Sequence, residues 1–111
     1  MEQSIFLKEK ALPMGEKEIL ISGRFQEEGR ELPWRIRAMS QKENVEIQNS
    51  RMWREKEYLA EVIAACVVFP DLKDAALQDS YGVLGAGRLL EKMLTAGEFA
   101  MLQEAVEEIN G

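Results

Sequence analysis

The chain has 111 residues, 46% hydrophobic and 31% charged, with a formal net charge of −6. That length and balance suit one folded domain, 1–111, and exclude a disordered chain. With no histidine and one cysteine, His-based catalysis and an internal disulfide are excluded, and a zinc site would need carboxylates almost wholly. From Asp74 onward seven acids stand against two bases, which leaves −5 of the −6 in the last third. Such a surface repels phosphate backbones and anionic lipid, so nucleic acid and membrane are not expected partners. Solubility is the simplest use of the acid excess.

The opening "MEQSIFLKEK" is acidic early and has a three-residue apolar run, unlike a secretory signal. Its "SIFL" is a candidate support for the sheet that follows. Two alternating segments come next. "EILISGRF" places Ile19, Ile21, Gly23 and Phe25 on one face, and "LPWRIRAM" places Leu32, Trp34, Ile36 and Ala38 on one face. Making these faces coincide predicts a hairpin over about 17–39, turning at Glu28-Gly29. The pairs are Phe25 with Leu32, Gly23 with Trp34, Ile21 with Ile36 and Ile19 with Ala38. Pro33 has no N–H and belongs on the unpaired side of the ladder. The other face carries Ser22, Arg24, Arg35 and Arg37, a solvated surface or an anion site.

"SQKE", residues 40–43, has the capping-box pattern, with Ser40 at N-cap and Glu43 at N3, and predicts a helix start. Asn49-Ser50 is a candidate break. From about 54 to 68 the pattern becomes apolar on every side, which reads as a buried central helix. Its end, "CVVF", reads equally as a buried strand. Pro70 ends the element in either case. Cys66 lies in this apolar run, where a thiol packs. At residues 62–69 this longest apolar run is far below the ~20 residues of a membrane span.

Three short helices are predicted for the remainder, at about 74–81, over "AGRLLEKML", and over "EFAMLQEAVEEIN". The last buries Phe99, Leu102, Val106 and Ile109. Between the first two sits "YGVLGAG", whose glycines suggest a phosphate loop. A phosphate loop needs a strand before it, and neither G-x-x-x-x-G-K-[ST] nor G-x-G-x-x-G is present. The run therefore reads as a helix–turn–helix corner, with Gly82, Gly85 and, further on, Gly97 as turn residues. Gly87 permits close helix packing. The predicted fold is α+β and mainly α, a hairpin part (1–39) packed on a helical part (40–111) of four to five helices.

Residues 69–111 closely resemble the C-terminal half of the XkdN-like phage tail assembly chaperones. The matching pattern is P-[DN]-L at 70–72, L-Q-D-S-Y-G-V at 77–83, and L-L-x-x-M-L at 89–94. It continues with G-E-[YF]-x-x-L at 97–102 and E-I-N-G at 108–111. The stretch "SGRFQEEGRELPWRIRAMS", 22–40, is similar to the family's S-x-R-F-x-x-x-x-G-x-x-x-x-W-x-I-R-x-[IM]-S, and "FLKE" stands near the start. The segment between Ser40 and Pro70 is shorter than usual, and relatives often continue beyond Asn110-Gly111. Some tail assembly chaperones exist in two frameshifted forms.

The resemblance implies a phage or prophage protein of the bacterial cytoplasm, absent from the mature virion. It would bind the helical, aggregation-prone tape measure protein and keep it soluble while the tail tube assembles. The tail tube protein and a second copy of the chain are further candidate partners. The resemblance implies no catalysis, no cofactor and no metal. The alternative is a structural tail component retained in the virion. The candidate client-binding residues are Leu89, Leu90, Met93, Leu94, Phe99, Met101 and Leu102. The stripe on "AGRLLEKML" is wider than one small helix covers, so part of it could lie open as a groove. Alternatively, the central helix covers it all. Six methionines suit adaptable apolar contact or core filling.

Overall fold

The computed structural model describes residues 3–50 and 55–111. A short 3-10 helix, Gln3–Phe6, precedes β1 (Glu16–Ile19), β2 (Gln26–Glu27), β3 (Arg30–Glu31) and β4 (Trp34–Arg37). Helices α1 (Gln41–Ser50) and α2 (Glu55–Ala65) follow, then β5 (Val67–Phe69), α3 (Ala75–Ser80), α4 (Ala86–Met93) and α5 (Ala96–Ile109). The architecture is α+β and mainly α, as the sequence predicts, with five α-helices among the described residues.

The central strand is β4, in a three-stranded antiparallel sheet of order β1-β4-β5. Side chains alternate across a strand. Trp34 and Ile36 therefore enter the core at 2% and 0% exposure, while Arg35 faces solvent and Arg37 is half-buried. The core joins these to Ile21, Ile63, Cys66, Leu72, Leu89, Leu90, Leu102 and Val106.

The hairpin has two registers. At its tip Gln26 pairs with Glu31 and Glu27 with Arg30, and the Leu32 N–H donates to the Phe25 carbonyl at 2.9 Å. That is the predicted register, turning through Glu28 (φ 52°) and Gly29 (φ 78°). Two successive left-handed residues suit a two-residue hairpin turn. Nearer the body, Ile19 faces Trp34 and Lys17 faces Ile36. The expected pairs Gly23 with Trp34, Ile21 with Ile36 and Ile19 with Ala38 are thus replaced. Between the two ladders, residues 20–25 lie opposite 32–33 alone.

Pro33, lacking an N–H, sits where the ladder is interrupted. The excursion lets Ile21 dip into the core and brings Phe25 to 6.0 Å from the Trp34 ring. The offset between ladders is an even number of residues, so the apolar faces stay aligned despite it.

The box at Ser40 starts α1 as predicted. The Glu43 N–H donates to Ser40 Oγ at 3.1 Å, and the Ser40 N–H donates to Glu43 Oε1 at 3.2 Å. The start expected for the central helix, at residue 54, lies outside the described residues. Its end differs from the helical reading: α2 stops at Ala65 and "VVF" forms β5. The strand alternative is the one adopted, as a half-buried edge strand rather than a buried one, with Phe69 44% exposed. Val67 and Val68 are β-branched and suit a pleated surface. The second edge of β4 is completed by β5, with Arg35 opposite Phe69 and Ile36 opposite Val67. The "SIFL" support for the sheet is absent: every residue of 3–18 is exposed. The radius of gyration, 15.9 Å, exceeds the about 13 Å of a compact chain of this length, as this projecting arm requires.

Neighbouring positions on α5 give a test. Leu102 is fully buried and Met101 is 52% exposed. Leu102→Ala should lower the unfolding free energy by about 2–5 kcal/mol and Met101→Ala by less than about 0.5, measured by urea denaturation.

Candidate docking surface

The stripe on α4 is core. Leu89 and Leu90 are fully buried, and Met93 and Leu94 are 7% and 8% exposed. Leu102 on α5 is fully buried, Phe99 is half-buried, and Met101 faces solvent. The stripe is covered because α4 packs closely on α2. At Gly87 an added Cβ would lie 2.6 Å from Glu61 Oε1 and 3.2 Å from the Glu61 backbone nitrogen. The Gly87 N–H donates to Glu61 Oε1 at 3.3 Å. Among the described residues the α4 stripe is packed rather than open, and of the seven candidate client contacts only Phe99 and Met101 reach the surface. Gly82 (φ 69°) and Gly85 (φ 110°) form the corner between α3 and α4. Gly97 lies inside the first turn of α5 rather than in a turn.

Of the arginines on that face, Arg35 is solvated, while Arg24 and Arg37 are engaged by carboxylates. Arg37 donates to Glu43 at 3.0 and 2.7 Å. Arg24 pairs with Glu98 through Nε at 3.0 Å and a second guanidinium nitrogen, and also donates to the Met93 carbonyl at 3.0 Å. Both glutamates are capping-box residues. Glu98 accepts the Thr95 N–H at 2.8 Å while its own N–H donates to Thr95 Oγ1 at 3.1 Å. The hairpin arginines thus grip the first turns of α1 and α5. The box at Thr95 went unread in the sequence although "TAGE" spells it. Nothing local marks Arg24 as its partner, 74 positions away.

These bonds lower both carboxylates from an ordinary 4.5 to about 2. For Glu43 the Arg37 hydrogen bonds lead and the Ser40 backbone follows. For Glu98 Arg24 leads, followed by Ser22 and the Thr95 backbone.

The motif side chains Asn110 and Gln78 are structural ties. Asn110 accepts the Met39 N–H at 2.8 Å and donates to the Val106 carbonyl at 2.8 Å, and its amide lies 3.7 Å from Cys66 Sγ. Gln78 donates to the Leu72 carbonyl at 2.8 Å and accepts the Gly85 N–H at 3.0 Å. Cys66 is fully buried and its thiol is pushed up by desolvation, which fits packing rather than reactivity.

Further surface open to a partner lies elsewhere. The arm, residues 3–14, exposes Ile5, Phe6, Leu7, Leu12 and Met14 at 49–89%. Leu84, in the α3–α4 corner, is 80% exposed. A cleft of about 680 Å³ runs between α1, α2, the start of β5 and the first residue of β1. Ala64, Ala65, Val67 and Val68 line it, with Glu16, Glu46, Glu61 and Asp71 among its polar residues. The sequence pattern marked neither the arm nor the cleft, because a short apolar run carries no sign of whether the fold covers it. Among the described residues no helix is long and apolar enough to cross a membrane.

The described surface thus offers exposed apolar side chains on the arm and at Leu84, and a half-open cleft. The family model for the phage XkdN-like tail assembly chaperone proteins matches residues 4–111, and the chain belongs to that family. Among solved structures it is similar to the crystal structure of the protein YqbN, with a TM-score of 0.88 and 23% identity over 100% of this chain and 97% of that one. At that identity the likeness establishes the fold. Nothing among curated proteins matches the chain.

The two clamps make stability depend on pH. A carboxylate whose folded value lies below its unfolded one stabilises the fold above the unfolded value. That contribution is lost as pH falls through the folded value. The stabilisation from Glu43 and Glu98 is therefore complete above 4.5 and disappears towards about 2. In urea denaturation across this range, the double variant Arg24→Gln/Arg37→Gln should lose less stability on acidification than the parent.

Proposed function

We propose that the chain binds the tape measure protein of its phage and keeps that helical client soluble during tail tube assembly. It does so in the host cytoplasm and leaves before the virion is complete. The observation that carries this reading is the family match over residues 4–111. The match runs unbroken through hairpin and helical parts, which supports treating them as one domain. A tail assembly chaperone meets tail proteins as partners. The tape measure protein fits because a long amphipathic helix offers an apolar stripe, and exposed apolar side chains are what helix-in-groove binding requires.

Phe99 and Met101 are assigned to client contact, since they alone among the seven candidates reach the surface. Methionine suits such contact because its unbranched thioether adapts to varied partners. Leu89, Leu90, Met93, Leu94 and Leu102 support the site from beneath. The contact is mainly apolar, so salt should weaken it only modestly. The fold needs no cofactor for this role, and no reaction is assigned to it.

Co-expression with the tape measure protein should move that client from the insoluble to the soluble fraction. Met101→Asp should abolish the effect while leaving thermal stability nearly unchanged, whereas Met93→Asp should unfold the chain. Identical client partition with and without the chain would overturn the reading. A stoichiometric copy in purified virions would instead favour the structural tail component.

A further inference from the structure

We propose that the arm, residues 3–14, docks in the cleft between α1, α2 and β5 of a second copy, so that two chains exchange arms. The arm exposes apolar side chains to solvent, and the cleft is open to it. Phe6 is 77% and Leu12 89% exposed, and no residue of 3–18 is even half-buried. The arm therefore does not occupy its own cleft. Its root is held in line with β1, because the Ala38 N–H donates to the Gly15 carbonyl at 3.0 Å.

The two surfaces match in chemistry. The arm carries Lys8 and Lys10 against Glu9, a net +1 in a chain of net −6. The cleft presents Glu16, Glu43, Glu46, Glu61 and Asp71 against Arg37 and Lys73, a net −3. Arg37 is spent on Glu43, which leaves Glu16, Glu46, Glu61 and Asp71 against Lys73 to face an incoming lysine. The apolar lining of Ala65 and Val68 suits the arm's Phe6 and Leu7. A client helix fits the arm's apolar side chains as well, but nothing in the client accounts for the charge match between the chain's own two surfaces.

The geometry allows exchange. The arm is coiled over its first part, a 3-10 helix at Gln3–Phe6 followed by turns through Ala11, and uncoiling its twelve residues would extend its reach to at most about 40 Å, enough to cross to a neighbour. Exchange of identical elements gives a closed two-fold pair in which each arm–cleft contact is made twice. Both docked arms are then covered, which buries Ile5, Phe6, Leu7, Leu12 and Met14 of each chain.

The test is the mass of the purified full chain by light scattering across a concentration series. A dimer is expected. Phe6→Asp/Leu7→Asp should weaken self-association by at least about tenfold. These side chains are exposed, so the variant's circular dichroism and melting temperature should match those of the parent monomer. Lys8→Glu/Lys10→Glu should also dissociate the pair, and mixing it with Glu46→Lys/Asp71→Lys should restore a mixed dimer. A parent chain monomeric throughout, or a dimer indifferent to both arm variants, would overturn the proposal. So would an arm variant that loses client capture from a chain already monomeric, since that assigns the arm to the client. The client-solubility measurement is separate, so either reading can fail alone.

Discussion

The alternation of β4 is the constraint on which the rest depends. Four residues, Trp34 to Arg37, put two large apolar side chains inward and two arginines outward. The inward pair needs covering, and α5 packs on β4 while Ile63 of α2 joins the same core. Both lateral edges need hydrogen-bond partners, and β1 and β5 supply them. Once β5 is required on the second edge, α2 has to stop at Ala65. The apolar stretch that looks like one element then becomes a helix, a turn at Cys66 and a strand.

The outward side of the hairpin is then used a second time. Arg37 leaves the sheet next to the start of α1, and the excursion at 20–25 carries Arg24 to the start of α5. Each meets a glutamate already turned back on its own helix N-terminus. A helix start leaves N–H groups unsatisfied and carries a partial positive charge, so it favours a carboxylate nearby. An arginine drawn to that carboxylate fixes the strand against the helix start. These pairs are partly exposed, with side-chain exposures of 49% and 13% in one and 33% and 40% in the other. Exposed ion pairs contribute little energy by themselves. Their value here is orientation: they set which way the two helices leave the sheet.

Local pattern was legible where a local rule decides. The Ser40 box, the Glu28-Gly29 turn, the corner at Gly82 and Gly85, and the close approach at Gly87 each follow from one residue type in one backbone setting. The register near the body did not. Several registers keep the apolar faces together, and the actual one depends on how deep Ile21 and Phe25 can reach around Trp34. The stripe on α4 is a similar case. An amphipathic helix declares which side is apolar without declaring what lies against it. The approach of Glu61 to Gly87 is a tertiary fact, and it turned a candidate groove into packed core. The arm shows the reverse error, since apolar residues expected to lean on the sheet project from it instead.

That distribution has a physical logic for a docking protein. A chain that exposes phenylalanine and leucine risks aggregating with itself before it meets a partner. Here five exposed apolar side chains, Ile5, Phe6, Leu7, Leu12 and Met14, are gathered in the arm, while −5 of the net −6 lies in the last third. On α5 the buried side holds Leu102 and Val106, and Glu104, Glu107 and Glu108 face water. Like charge on the body keeps copies apart at long range, over a distance that salt shortens to about 10 Å at 0.1 M. Only a segment that reaches beyond that range and carries the opposite sign can bridge two such bodies. An arm with two lysines, which uncoiled would reach at most about 40 Å, meets both conditions, so repulsion between bodies and attraction through the arms can coexist in one small acidic protein.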